Sequence, residues 1–150
     1  MPCLGSDFRF TLKADVYYAV LEQNSWGEFE KTWSLGLTDT MCELHSDKFN
    51  SDTRYAIQTK DEFFKMPLLV FGRFREDIRV DKDGTTTHPL TDIVVSNVRG
   101  YCGGEPVFYD SASGEPTKFE IGTFEPFTNP WGKIEYYKVQ AIRSDDQDMF

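Results

Sequence analysis

The chain has 150 residues, 39% of them hydrophobic and 15% aromatic, which excludes a disordered protein and indicates one globular domain. Its 25 acidic residues outnumber 16 basic ones, and at a net charge of −9 nucleic acid and membrane surfaces are not expected as partners. The longest apolar run, 66–71, is too short for a spanning helix, and the N-terminus lacks the basic and apolar regions of a signal peptide.

The cysteines indicate a reducing compartment. Cys3, Cys42 and Cys102 form no CxxC pair, and their odd number leaves one thiol unpaired in any disulfide scheme. Free thiols are the simpler interpretation, so we expect a cytoplasmic protein.

Three helices are predicted in the N-terminal half. Residues 11–24 place Leu12, Val16 and Val20 four positions apart, which predicts an amphipathic helix. Ser25 and Glu28 have the spacing of a capping box, which predicts a second helix over about 26–35 that buries Trp26, Phe29 and Trp33.

The third predicted helix starts at a second capping box. Thr59 and Glu62 have the required spacing, so the helix should begin near Lys60, and Pro67 should kink or end it.

Strands are predicted in the C-terminal half. After residue 75 the apolar period becomes two, and Asp83-Gly84 suits a tight turn. Strands are expected over 93–101, 117–127 and 133–142, the last two joined through 129–132. Residues 41–46 form an isolated early strand in this interpretation, and no internal repeat is predicted.

These elements predict an α+β fold. An antiparallel meander that follows three helices can bury its apolar face only by curling around them. The predicted architecture is a cone-shaped barrel, in which three N-terminal helices pack in a strongly curved antiparallel sheet around a pocket.

Four stretches follow one another in a pattern that resembles a known family. They are residues 17–26, 37–44 and 57–63, and Gly132-Lys133-Ile134 with Tyr137 and Val139. The chain resembles the SnoaL-like branch of the nuclear-transport-factor-two-like superfamily, which includes ketosteroid isomerases, scytalone dehydratase and polyketide cyclases. The resemblance covers about residues 11–142 and implies a single domain over 1–150 with an acidic tail at 144–150. Fold-level analogy does not choose among the reactions of this superfamily.

The resemblance nominates catalytic residues on the first helix and first strand. Tyr17 matches the position of an oxyanion-stabilising hydroxyl in the isomerases, although a core tyrosine explains it as well. Their general base falls on Leu44, which cannot move a proton, or on His45 beside Glu43. A polar strand edge facing solvent is the alternative for His45.

A carboxylate is nominated on the strand that resembles the family's pocket wall. The isomerases' second acid falls on Thr123, and a period of two points Glu125 and Phe127 to the same side. We therefore expect Glu125 to act as a general acid or base, with a position at the pocket rim as the alternative. By the same anchor Tyr137 should line the pocket, whereas Tyr136 and Lys138 should point away; Trp33 is a further expected lining residue.

Two more groups of residues are candidates. His88 precedes Asp92 by four positions, and scytalone dehydratase uses histidines and a carboxylate, although a turn histidine is the simpler interpretation. Arg99 shares a strand face with Tyr101 and could hold a carbonyl or phenolate, or could be a surface cation.

The function expected from the resemblance is cofactor-independent. No Gly-rich phosphate loop is present, and no His or Cys pair has metal-ligand spacing, so we expect neither cofactor nor metal. The resemblance implies an isomerase, cyclase or dehydratase that moves protons on a hydrophobic, oxygenated, polyketide-like or terpenoid metabolite. A homodimer through the outer sheet face is expected from Tyr136 and Ile142. The alternatives are a non-catalytic small-molecule-binding module and a protein-interaction module.

Overall fold

A computed structural model describes residues 10–46, 69–109 and 114–144, together with Gln147 and Phe150. One 3₁₀ turn, Leu90–Asp92, precedes the fourth strand. No helix in these parts of the chain is long and apolar enough to cross a membrane. The strands are β1 (Leu12–Gln23), β2 (Phe29–Ser46), β3 (Leu69–Phe74), β4 (Ile93–Gly100), β5 (Phe119–Thr128) and β6 (Ile134–Arg143).

The six strands close into one antiparallel barrel in the order β1-β2-β3-β6-β5-β4. Strands β1 to β3 form one meander and β4 to β6 form another. The two meanders join where β3 pairs with β6 and where β1 pairs with β4. Closure satisfies the backbone groups that open sheet edges would expose.

The predicted cone with three N-terminal helices is wrong, and with it the α+β class, because the described chain is almost entirely antiparallel strand. Residues 12–23 form β1 instead of a helix. The four-residue spacing of Leu12 and Val16 also fits a period of two, and the buried side chains of Ala14, Val16 and Tyr18 follow that shorter period. β-Branched and aromatic residues further favour the strand.

The second predicted helix is also wrong. Residues 24–28 form a hairpin turn and β2 begins at Phe29, so the spacing of Ser25 and Glu28 marks a turn instead of a helix start. Trp26 and Phe29, expected to be buried, are 86% and 70% exposed. The third predicted helix, from Lys60, lies outside the described residues.

The three strands predicted over 93–101, 117–127 and 133–142 are confirmed. Strands β4, β5 and β6 begin and end within two residues of the predicted bounds. Residues 41–46 are strand as well, but they are the end of the 18-residue β2 and not an isolated element. Residues 75–79 form turns, although the period of two that begins after residue 75 favours a strand there.

The barrel interior is packed with apolar side chains. All six strands contribute to this core, which therefore occupies the place where the prediction put a pocket. Its members include Val16, Tyr18, Leu44, Phe74, Val95, Phe119, Phe124 and Val139.

The cysteines differ from the expected set of three free thiols. Cys102 is disulfide-bonded, whereas Cys42 is a free thiol buried in the core. Burial raises the pKa of the Cys42 thiol to about 12, with Arg99 acting in the opposite direction. Because Cys102 is disulfide-bonded, the cysteines no longer support a reducing compartment, and the cytoplasmic location stays a prediction.

Candidate functional site

A groove of about 400 Å³ lies on the outer face of the barrel, across β2, β3, β6 and β5. Strand pairing places four charged residues side by side along it. Glu43 pairs with Arg73, Arg73 with Lys138, and Lys138 with Glu125. Direct cross-strand partners project from the same face of a sheet, so they form a charged row in the order negative, positive, positive, negative.

A second row runs parallel to the charged row. His45 pairs with Phe71, Phe71 with Gln140, and Gln140 with Thr123. Each of these residues is two positions along its strand from a member of the charged row, so both rows lie on the outer face. The groove therefore combines charges with an aromatic ring, an imidazole and neutral hydrogen-bonding groups.

Arg73 is held in place within the groove. Its Nε and Nη2 atoms donate to Oε2 of Glu43 at 3.0 and 2.7 Å. The guanidinium carbon lies 5.2 Å from the centroid of the Tyr136 ring, within the range of a cation–π interaction. The carboxylate and the ring together fix the guanidinium in one orientation.

Lys138 lies next to this fixed cation. Its Nζ atom is 5.0 Å from the centroid of the Phe127 ring, which stacks on Tyr136 at 4.7 Å. Lys138 forms no ion pair with any carboxylate of the described residues. Two cations thus lie on neighbouring strands, and like charges in that position repel each other.

Gly72 allows the close approach of two strands beneath the groove. A Cβ atom at this position would overlap the carbonyl oxygen of Glu43 on β2. Because that obstacle is backbone, a larger residue would push β2 and β3 apart and separate Glu43 from Arg73.

Three predicted site residues meet in the groove. His45, Thr123 and Glu125 all line it, and Phe127 borders it through its contact with Lys138. The expected facing of β6 is reversed, because the pocket is on the outer face. Tyr136 and Lys138 line the groove, whereas Tyr137 packs inside the barrel against Phe124 at 5.1 Å.

Arg99 belongs to a separate polar network at an irregularity in β1. The register of β1 shifts against both neighbouring strands around Asp15, which is only 8% exposed. The Asp15 carboxylate accepts hydrogen bonds from Thr38, Asn97 and Arg99. Arg99 also donates to Asp39, so its guanidinium already has carboxylate partners.

Tyr17, Tyr101 and Trp33 lie away from the groove. The Tyr17 ring stacks on Phe150 at 4.0 Å. Burial and the nearby Asp15 raise the pKa of the Tyr17 phenol, which Arg99 partly opposes. Tyr101 lies beneath the Lys13 ammonium at 5.9 Å, and Trp33 is half-buried on β2.

His88 and Asp92 do not form a pair. His88 Nε2 lies 3.0 Å from an oxygen of Asp81, and its ring stacks on Tyr18 at 3.8 Å. Asp92 instead accepts a hydrogen bond from Lys31 at 3.0 Å. Both residues connect the segment before β4 to the β1–β2 hairpin.

Sequence reasoning missed the two cations of the groove and the aromatic side chains Phe71 and Tyr136 as lining residues. Alternation along β6 placed Tyr136 and Lys138 on one face, and this signal was available. Their position beside Arg73 depends on the pairing of β3 with β6, which are far apart in sequence.

No known family, curated protein or solved structure matches this chain. The resemblance to the SnoaL-like branch therefore stays a prediction, and the fold that it implied is not the one observed. Within the described residues, no three His, Cys, Asp or Glu side chains come together as a metal site would require.

Proposed function

We propose that the chain is a binding protein whose outer groove takes a small organic anion with an aromatic ring. The observation that carries this proposal is the Lys138 ammonium, which lies on the strand next to the fixed Arg73 guanidinium. Lys138 forms no ion pair with its cross-strand neighbour Glu125 or with another carboxylate of the described residues. An anionic group between the two cations would relieve their repulsion.

The aromatic part of the ligand has a matching surface. Phe71 and Tyr136 line the groove on either side of the Arg73–Lys138 pair along the strands. Rings of this kind provide apolar area and stacking partners, and Gln140 and Thr123 supply hydrogen bonds at the margin. A volume of about 400 Å³ suits a small molecule.

The affinity expected for a simple probe is modest because the groove is open. At about 0.3 kcal/mol for each of roughly 13 non-hydrogen atoms, naphthoate should bind with about −4 kcal/mol, a Kd near 1 mM. A Kd in the millimolar range is measured directly by chemical-shift titration of the isotopically labelled protein.

The test compares naphthoate with the uncharged naphthamide. Lys138→Gln should weaken naphthoate binding by about threefold to fivefold, the range of an exposed charge contact. The same variant should leave naphthamide binding unchanged. Lys82→Gln, a matched change at an exposed lysine outside the groove, should affect neither ligand. Equal effects of the two variants, or equal binding of the two ligands, would refute the proposal.

Proton transfer is a second candidate function, favoured by the presence of both Glu125 and His45 in the same groove. The enzyme activity expected from the sequence would use these two groups as acid and base. The experiment is deuterium exchange at the carbon next to the carbonyl of a bound aromatic ketone in D₂O. Exchange that Glu125→Gln and His45→Ala both abolish would support catalysis, and exchange at the uncatalysed rate would restrict the groove to binding.

A further inference from the structure

Two hairpins of the barrel turn in the same way. In the β1–β2 turn, the Asn24 side-chain oxygen accepts hydrogen bonds from the amides of Trp26 and Glu28 at 2.9 and 3.0 Å. The backbone amide of Asn24 donates to Glu28 at 2.8 Å, and Gly27 has a φ of 83°.

The β5–β6 turn repeats this geometry. The Asn129 side-chain oxygen accepts from the amides of Trp131 and Lys133, both at 3.0 Å. The Asn129 amide donates to Lys133 at 2.8 Å, and Gly132 has a φ of 79°. Both turns therefore read Asn-x-Trp-Gly-x and place tryptophan at the same position.

Both turns lie at the same end of the barrel. Because every neighbouring pair in the closed barrel is antiparallel, β1 and β5 run in the same direction and reach their turns at one end. The β1–β2 hairpin also projects beyond the barrel. Strand β1 pairs with β4 only as far as Tyr18, and β2 pairs with β3 only from Cys42.

The side chains at these turns are exposed and apolar. Trp26 is 86% exposed and Trp131 is 84% exposed. Turn geometry accounts for the asparagine, which captures two amides, and for the glycine, which adopts positive φ. It does not account for tryptophan, whose side chain is almost fully exposed in both turns. Further exposed apolar residues near the two turns are Val20, Leu21, Phe29, Phe127 and Ile134.

We propose that this end of the barrel docks on the surface of a zwitterionic lipid bilayer, with Trp26 and Trp131 inserted among the headgroups. Indole rings favour the membrane–water interface because they combine a large apolar area with one polar N–H group. The two tryptophan-bearing turns project from the barrel as separate tips, and a lipid bilayer can deform to accommodate both. In each turn the asparagine side-chain oxygen accepts hydrogen bonds from two backbone amides. These amides therefore stay hydrogen-bonded when the turn enters the less polar headgroup region.

The charges near the turns indicate which headgroup charge the bilayer should carry. Glu22, Glu28 and Glu30 lie next to the first turn, and the whole chain carries −9. An anionic bilayer would repel these groups, so neutral phosphatidylcholine is the expected surface. The net charge led the sequence analysis to expect no membrane partner, and this proposal departs from that expectation, because a zwitterionic surface carries no net charge that would repel the chain.

The experiment is flotation of the full chain with phosphatidylcholine vesicles, followed by tryptophan fluorescence with brominated lipid. The wild-type protein should float and its fluorescence should be quenched. The double variant Trp26→Ser/Trp131→Ser should lower the partition coefficient by at least about tenfold. Including phosphatidylserine in the vesicles should weaken binding of the wild type.

The control removes another exposed aromatic residue. Tyr109 lies in the β4–β5 connection, which leaves the barrel at the opposite end, so Tyr109→Ser should float as the wild type does. Circular dichroism verifies that each variant is folded. The proposal is overturned if the wild type stays at the bottom of the gradient, or if the double variant floats equally well. A double variant that loses only self-association would show that the tips contact a second copy, which also overturns it.

Discussion

Removing the hydroxyl of Tyr18 should loosen the segment between β3 and β4. Tyr18 is 2% exposed, and its hydroxyl donates to the carbonyl of Ile78 at 2.6 Å and contacts that of Val80 at 3.2 Å. Its ring stacks on His88 and occupies the space above Gly36. One side chain thus joins the segment before β4 to the β1–β2 hairpin.

The expected loss of stability follows from the carbonyl group that loses its hydrogen-bond donor. In Tyr18→Phe the buried Ile78 carbonyl loses its partner, which costs about 1–3 kcal/mol. For a chain of this size, 2 kcal/mol lowers Tm by about 4–8 °C. Tyr109→Phe is the matched control, because that hydroxyl is exposed and donates to the exposed Glu105 at 3.3 Å. It should change stability by less than about 0.5 kcal/mol.

The pH dependence gives an independent readout of the same hydroxyl. Burial, then Asp81 and Asp77, raise the pKa of the Tyr18 phenol above its ordinary value of 10.0. The folded state therefore retains the proton more strongly than the unfolded state. Its contribution is complete below pH 10 and declines as the pH rises further, by about 1.4 kcal/mol per unit. The stability difference between wild type and Tyr18→Phe should thus narrow above pH 10.

Urea denaturation between pH 7 and 11 measures both effects. A difference of less than about 0.5 kcal/mol at pH 7 would refute the hydrogen-bond argument. A difference that stays constant up to pH 11 would show instead that the phenol ionises equally in both states.

The remaining predictions concern packing, thiol reactivity and the polar network. Gly36→Ala should cost about 1–3 kcal/mol in urea denaturation, because its Cβ would overlap the Tyr18 ring. Cys42 should resist iodoacetamide at pH 8 in the folded protein and react in urea, as peptide mass spectrometry would show, because burial raises its pKa. Arg99→Met should cost about 3–5 kcal/mol in urea denaturation, because it leaves the mostly buried Asp15 carboxylate without a cation. Asp15→Asn should cost less, because Arg99 keeps its ion pair with Asp39, and the double variant should cost clearly less than the sum of the two single changes.

The N-terminal half shows why periodicity alone misassigned the fold. A spacing of four is common to an α-helix face and to alternate positions of a strand, so Leu12, Val16 and Val20 could not distinguish them. The tyrosines at 17 and 18 and the two valines favoured a strand. The inward pattern was further obscured by the bulge at Asp15, which buries three consecutive residues from Ala14 to Val16.

The C-terminal half was predicted more accurately because its turns are explicit. Asn129-Pro130 and Gly132 bound a hairpin whose strands alternate cleanly, and β5 and β6 follow the predicted limits. The candidate groove was only partly predictable. Glu125 and His45 were nominated by the family resemblance together with the alternation along their strands. The row that joins Glu125 to Arg73 requires the order of four strands around the barrel.

The repeated turn shows how a short signal can be present and yet be misinterpreted. Asn24-Ser25-Trp26-Gly27-Glu28 and Asn129-Pro130-Trp131-Gly132-Lys133 share three residues in register, but the first was interpreted as a helix cap and the second as a simple connection. The same hydrogen bonds to asparagine in both turns show that the chain uses one turn structure twice. Two of the three tryptophans of the chain occupy the position at which this turn structure does not require a particular side chain, which favours a role outside folding.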